Sequence, residues 1–251
     1  MNNNEKSAIQ LNRDSVTEAC WSCGDMRAAQ FCRSCGRVQP PAPADYFTFF
    51  GLPQKLNIDE KVLERELYAL SRKLHPDLYV RSSSQEQSWS LEQSSTLNDA
   101  YRTLRDPIER TEYVLRLHGI HVDEQSKLAT EQARTSGELK KQMIPPDMLE
   151  EVFELNMQLE ELRMNKKMGE DSPGLVEQLA QTKSDLQARM DGLMAELKSA
   201  WDEWDAVVDR QQADGADDSE RRRLLNKMVD VLNRRSYIRN LIRDVNAVLT
   251  E

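Results

Sequence analysis

The sequence predicts a mainly α protein: a helical hairpin, a C-terminal three-helix bundle and a small N-terminal module built on four cysteines. Three observations lead to that fold class. Apolar residues recur every three or four positions from Leu63 to Leu74 and again through most of residues 147–249. Charged residues make up 31% of the 251, Gly and Pro number nine each, and the long segments are filled with Glu, Leu, Lys, Arg, Gln and Met, all good helix formers. All four cysteines fall between residues 20 and 35. A chain of this length has room for two small domains and an appendage. The expected divisions are a flexible N-terminus over 1–18, a four-cysteine, zinc-ribbon-like metal-binding module over 19–38, a Pro-rich linker over 39–44, a hairpin domain over 45–119, a linker over 120–144 and a helical domain over 145–251.

Residues 1–18 are polar, mix acids with bases and lack an apolar stretch, so they read neither as a secretory signal nor as an Arg-rich transit peptide. That favours a bacterial cytoplasm. The cysteines follow as Cys20-Trp-Ser-Cys23 and Cys32-Arg-Ser-Cys35, each pair trailed by a glycine, Gly24 and Gly36. Two such knuckles form a four-thiolate site, the glycines permitting the tight turn that points both sulfurs of a pair at one ion. Zinc is the expected ion, in a structural role; a pair of disulfides or an iron site are the alternatives. With eight residues between the pairs, a minimal β-hairpin is expected, and Trp21 and Phe31 are expected to cover the site, because so short a segment has no core of its own. Pro40, Pro41 and Pro43 then suggest a stiff extended linker.

In the hairpin domain a short aromatic helix is expected over Asp45 to Phe50, closed by Gly51 and Pro53. From Lys61 to Leu74, Leu63, Leu67, Leu70 and Leu74 form one apolar stripe, and at about 100° per residue Lys61, Arg65, Tyr68 and Arg72 fall on the opposite, cationic side. Pro76 ends this helix, since it lacks an amide hydrogen and disfavours helical backbone at the preceding residue, so His75 and Asp77 are presented in the following loop. An ordinary helix-terminating turn is the plain reading of His75-Pro76-Asp77 taken alone. An acid/base pair is the enzymatic one, but no Ser or Cys nucleophile lies nearby and no glycine loop cradles a phosphate. A Ser/Gln-rich loop is expected from Arg81 to about Gln87, then an antiparallel helix with Leu97, Ala100, Tyr101 and Leu104, then a short helix capped by Asp106 and opened by Pro107 that carries Tyr113, Val114 and Leu117.

Residues 120–144 are weakly periodic and end at Pro145 and Pro146, which can open a helix. Three long helices are expected after them, roughly Asp147 to Lys167, Leu175 to Asp209 and Asp218 to Leu249, forming a three-helix bundle. The second has a seam of Leu175, Leu179, Leu186, Met190, Leu193, Leu197, Ala200 and Trp204, and the third a seam of Leu224, Met228, Val231, Ile238, Ile242, Val245 and Leu249. The first has more apolar surface than a seam requires. Met148, Val152, Leu155, Leu159 and Leu162 make its core face, while Leu149, Phe153 and Met157 make a second stripe beside Glu150, Glu154 and Glu161. That second stripe is either a docking surface, or it completes the bundle core or packs against the hairpin domain. Tyr237 lies about 120° from the seam centre of the third helix and is expected to face outward too.

A net charge of -9 argues against nucleic acid as the main partner, and no run of eighteen apolar residues suggests a membrane span.

The order of short helix, basic helix, His-Pro-Asp loop and antiparallel helix resembles the J-domain of DnaJ-type co-chaperones over about Asp45 to Gly119. More narrowly, "DYFTFFGLP", "LSRKLHPDLY", "LNDAYRTLRDPIERTEYVLRLHG" and the helical tail resemble the HscB family of iron-sulfur cluster assembly. The resemblance implies a J-domain hairpin and an ATPase activator, not an enzyme. It implies that Lys61, Arg65, Arg72, Lys73, His75, Pro76 and Asp77 dock on an HscA/DnaK-type chaperone. It also implies that Leu149, Phe153, Glu154, Met157, Glu161 and Tyr237 bind an IscU-type scaffold. Phe and Met replace some of the residues expected there. Eukaryotic relatives of this family work in the mitochondrial matrix, and some carry a similar cysteine module whose role the resemblance leaves open. A J-domain protein for a different client is the alternative reading.

Overall fold

The structure, a computed structural model, describes residues 19–25, 30–32, 34–122, 148–214 and 218–250. The expected flexible N-terminus over 1–18, almost all of the expected linker over 120–144, and Pro145 and Pro146 lie outside the described residues. The chain divides into two units, Met1–Gly119 and Ile120–Glu251. The fold is mainly α, with seven helices among the described residues.

In the first unit α1 (Tyr46–Phe49) is capped by Asp45, whose carboxylate accepts the amides of Phe47 and Thr48. Helix α2 (Glu60–Leu74) is capped in the same way by Asp59. Of its stripe, Leu63 and Leu74 are buried while Leu67 and Leu70 are half-buried. A single 3-10 turn, Pro76–Tyr79, follows, and α3 (Ser84–Arg105) packs back along α2. Helix α4 (Pro107–Leu117) starts at the expected Asp106 cap with proline in its first turn. Phe47, Leu56, Leu63, Leu74, Leu97, Ala100, Leu104, Val114 and Leu115 make the core. The Tyr46 and Tyr113 rings stack 4.5 Å apart, and the Tyr46 amide donates to the Tyr113 hydroxyl.

Helix α3 begins earlier than the serine content suggests. Ser83 and Glu86 form a capping box: the Ser83 hydroxyl accepts the Glu86 amide, and the Glu86 carboxylate accepts the Ser83 amide at 3.2 Å. What reads as a loop to Gln87 is therefore the first turn of the helix. Ser83→Ala is expected to cost about 1 kcal/mol of stability, measured by chemical denaturation.

In the second unit α5 (Leu149–Met168), α6 (Pro173–Asp214) and α7 (Asp218–Thr250) form the expected bundle. Met148, Val152, Leu155, Leu159 and Leu162 of the first helix are all buried against Leu179 and Leu186 of α6 and Ile238, Val245 and Val248 of α7. Lys166 ties α5 to α7 by donating to the Val248 carbonyl at 2.7 Å. Glu203 on α6 pairs with Lys227 and Arg223 on α7 at 2.9 and 2.8 Å, and these hydrogen bonds hold its carboxyl below the ordinary range. No helix among the described residues is long and apolar enough to cross a membrane.

Tyr237 is a correction to the sequence reading. It is only 7% exposed and belongs to the cluster that joins α7 to α5 and α6. Its angle was measured from one seam, but where two helices flank α7 the buried arc widens to include a second row, Tyr237, Leu241 and Val248. Burial also raises the pKa of its phenol. Tyr237 therefore supports the bundle from within and is no surface contact.

Candidate functional site

The end of α2 is built to project a corner. Carbonyls in a helix's last turn lack partners within the helix, and here other side chains and backbone amides satisfy them. The His75 amide donates to the Ser71 carbonyl, the Tyr79 hydroxyl to Lys73, and the hydroxyls of Ser90 and Ser94 on α3 both donate to Leu74, at 2.7 and 2.8 Å. His75 leaves the helix with ψ 127°, the extended value that a following proline enforces. Its Nδ1 accepts the Asp77 amide at 3.3 Å and lies 3.5 Å from the Asp77 carboxylate. The Asp77 side chain is 84% exposed, so both carboxylate oxygens face solvent on a fixed turn. The expected loop thus becomes a 3-10 turn, because the Leu78 amide closes back on the His75 carbonyl.

Lys61, Arg65, Arg72, Lys73 and His75 are all exposed, and Pro76 is half-buried. Lys61, Arg65, Tyr68 and Arg72 share an arc of about 60° on α2. Arg72 is oriented by its Nε donating to the Tyr68 carbonyl, and Tyr68 by its hydroxyl donating to Glu64. Lys73 departs from this set: its ammonium lies 5.8 Å from the centre of the Phe31 ring in the cysteine module. Leu78 and Val80, beside the corner, are exposed apolar residues that sequence reasoning passed over. Their position immediately after His75-Pro76-Asp77 was the available signal.

The four cysteine sulfurs converge within 4.8 Å of one another. Cys20 and Cys35 are 3.7 Å apart, and Cys23 and Cys32 are 3.6 Å apart. A disulfide needs about 2.05 Å, whereas four thiolates at about 2.3 Å from one ion stand about 3.8 Å from each other. The donor set therefore fits a tetrahedral metal ion. Both knuckles repeat one design. The amides of Ser22 and Ser34 donate to Cys20 and Cys32, and those of Gly24 and Gly36 return to the Cys20 and Cys32 carbonyls. The two glycines sit at φ 75° and 72°, which a β-carbon would strain. Burial raises the Cys20 thiol, but the amides of Cys23 and Ser22 outweigh it and bring the group down to about 6. Cys32 is lowered in the same way, chiefly by the Cys35 amide. For Cys23 an amide bond from Asp25 acts downward, but its bonds to the other thiols win and raise it to about 12, so it gives up its proton when an ion binds.

Two expectations about this module differ from the structure. Trp21 does not cover the sulfurs, since Cys23 and Cys35 are exposed and the indole instead meets Trp89 of α3 edge-on at 5.6 Å. In place of a strand pair, the described residues show isolated bridging, with Phe31 and Val38 paired antiparallel. Residues 39–44 also begin as a docked segment, because Gln39 is fully buried.

On the second unit, Leu149, Phe153 and Met157 are exposed, Phe153 by 67%, and Glu154 and Glu161 flank them in solvent. The alternative in which they complete the bundle core is overturned. Met164 and Met168 lie within the same arc of about 100°, beyond the exposed Glu160, so exposed apolar residues recur on this face over about 28 Å. Sequence reasoning stopped at Met157 because Glu160 and Glu161 interrupt the spacing by four.

No family model matches the chain. It is 39% identical over 110 residues to an iron-sulfur cluster co-chaperone HscB homolog of Arabidopsis thaliana, covering 43% of this chain and 44% of that protein. It is 36% identical over 116 residues to the HscB protein of Mus musculus, covering 44% and 50%. The human HscB protein is 32% identical over 172 residues, which cover 64% of this chain and 67% of the human one. The chain thus spans about half the length of the plant and mouse proteins. Among solved structures, human HscB aligns with a TM-score of 0.57 at 21% identity, covering 91% of this chain and 97% of that one. HscB from Vibrio cholerae aligns with a TM-score of 0.53 at 24% identity, covering 81% and 97%. These two likenesses concern the fold.

Proposed function

The chain belongs to the HscB family of iron-sulfur cluster co-chaperones, and from that premise we propose that it brings an IscU-type scaffold to an HscA/DnaK-type chaperone and stimulates that chaperone's ATP hydrolysis. The carrying observation is the solvent-facing His75-Pro76-Asp77 corner at the end of a cationic helix face. A basic face steers toward an acidic partner and sets register, while the Asp77 carboxylate can accept a charge-assisted bond from a partner arginine. Lys61, Arg65 and Arg72 supply the field, with Leu78 and Val80 as apolar contacts at the corner. The protein activates a catalyst and is not one itself.

The client reading is supported by the stripe of Leu149, Phe153 and Met157, prolonged by Met164 and Met168 and edged by Glu154 and Glu161. Large exposed apolar patches rimmed by charge are a mark of protein docking surfaces. The ion we assign to Cys20, Cys23, Cys32 and Cys35 is zinc, which would cross-link the module and keep no coordination position open. The deciding assay measures ATP turnover by a DnaK-type chaperone with this protein, with scaffold, and with both. The two together are expected to stimulate more than either alone. Stimulation indifferent to the scaffold would favour a different client, and none under any condition would sink the proposal.

A further inference from the structure

The cysteine module is fastened to the same turn of α3 that holds the end of α2. Gln39 Nε2 donates to the Cys20 sulfur at 3.4 Å and to the Arg37 carbonyl at 2.8 Å. The Gln39 carbonyl in turn accepts from Gln93 Nε2 at 2.7 Å, and both glutamines are buried. Gln93 lies on α3 between Ser90 and Ser94, the two residues whose hydroxyls bind the Leu74 carbonyl immediately before His75. Arg37 pairs with Glu86 of the capping box at 3.1 Å, and Phe31 lies against the Lys73 ammonium. One short stretch, residues 30–39, therefore touches the start of α3, its middle and the last turn of α2.

We propose that Gln39, Gln93, Ser90 and Ser94 are positioning residues that couple metal loading of the four thiolates to the setting of the His75-Pro76-Asp77 corner. A segment this short has no core of its own, so without an ion its two knuckles, and with them the sulfur that Gln39 meets, are gathered by weak hydrogen bonds between sulfurs. With an ion holding all four sulfurs in one place, the Cys20 sulfur becomes a fixed acceptor for the Gln39 amide. That bond fixes Gln39, whose carbonyl fixes Gln93, and the rotation of α3 at that turn aims Ser90 and Ser94 at Leu74. In this reading the module is a brace for the corner.

The functional consequence rests on the corner being the chaperone-docking element, and the experiment separates the two ideas. Amide hydrogen exchange is followed on the full chain, zinc-loaded and after chelation, alongside chaperone ATPase stimulation. The probes are the His75 and Leu78 amides, which donate to Ser71 and His75. Removing zinc is expected to speed their exchange about tenfold by releasing local opening. Gln93→Met, which keeps the shape and loses the donor, is expected to produce the same change with zinc still bound, and chelation should then add little. Gln39→Met serves as the second variant, with helix content checked for both. Unchanged exchange on zinc removal, or a chelation effect undiminished in both variants, would overturn the coupling. If exchange responds as expected but the loaded protein stimulates no DnaK-type ATPase, the coupling stands and the co-chaperone reading fails.

Discussion

Asp77→Asn is expected to abolish stimulation of a DnaK-type ATPase and to leave the protein folded. The carboxylate is 84% exposed and has the partly exposed His75 ring as its ion-pair neighbour at 3.5 Å, so stability should change by less than about 0.5 kcal/mol. The Asp77 amide, which donates to His75 Nδ1, survives the substitution, so the turn keeps its shape. What is lost is a full negative charge at a point fixed by Pro76. Removing one partner of a buried charge pair in a complex typically costs about 2–5 kcal/mol, a factor of at least about thirty in affinity. Single-turnover ATPase titrations beside thermal melts will measure both halves of this expectation. Stimulation within twofold of the parent, at an unchanged melting temperature, would remove the corner from the mechanism.

Phe153→Ala is expected to weaken scaffold binding about thirtyfold, the effect of removing an aromatic anchor worth about 2 kcal/mol, while chaperone stimulation without scaffold stays intact. The ring is 67% exposed in the free protein, so its removal opens no cavity in the bundle, whose core lies on the opposite face with Val152, Leu155 and Leu159. Binding is read by calorimetry against purified scaffold, and folding by the melt. Its position between the exposed Leu149 and Met157 favours it over the rim carboxylates Glu154 and Glu161, whose charges remain solvated. Unchanged affinity at Phe153 would move the interface to another face.

Much of the fold was legible because its signals are local. Asp106 caps its helix where the sequence places it, Pro76 sets the end of α2, and the two Cys-x-x-Cys-Gly units bring four sulfurs together through turns that repeat residue by residue. The capping box of Ser83 and Glu86 was equally local, and was obscured only by the polar composition around it. Counting angles on one helix set Leu149, Phe153 and Met157 apart as a second stripe, and their exposure in the structure decides against the reading in which they complete the bundle core.

The remaining features depend on which elements meet. Tyr237 was misjudged because its burial comes from two neighbouring helices at once, and an angle measured on α7 contains no information about how many neighbours α7 has. Trp21 and Gln39 read as a metal cover and a linker residue only while the module is taken apart from α3, and the Phe31 neighbour of Lys73 likewise appears only once the module is docked. Periodicity, proline and cysteine spacing act over a few residues and so can be read from the chain alone. The partners of Trp89, Gln93 and Phe31 lie 42 to 68 positions away, and contacts at such separations are chosen by shape and charge complementarity between folded surfaces, which exist only once the helices have packed.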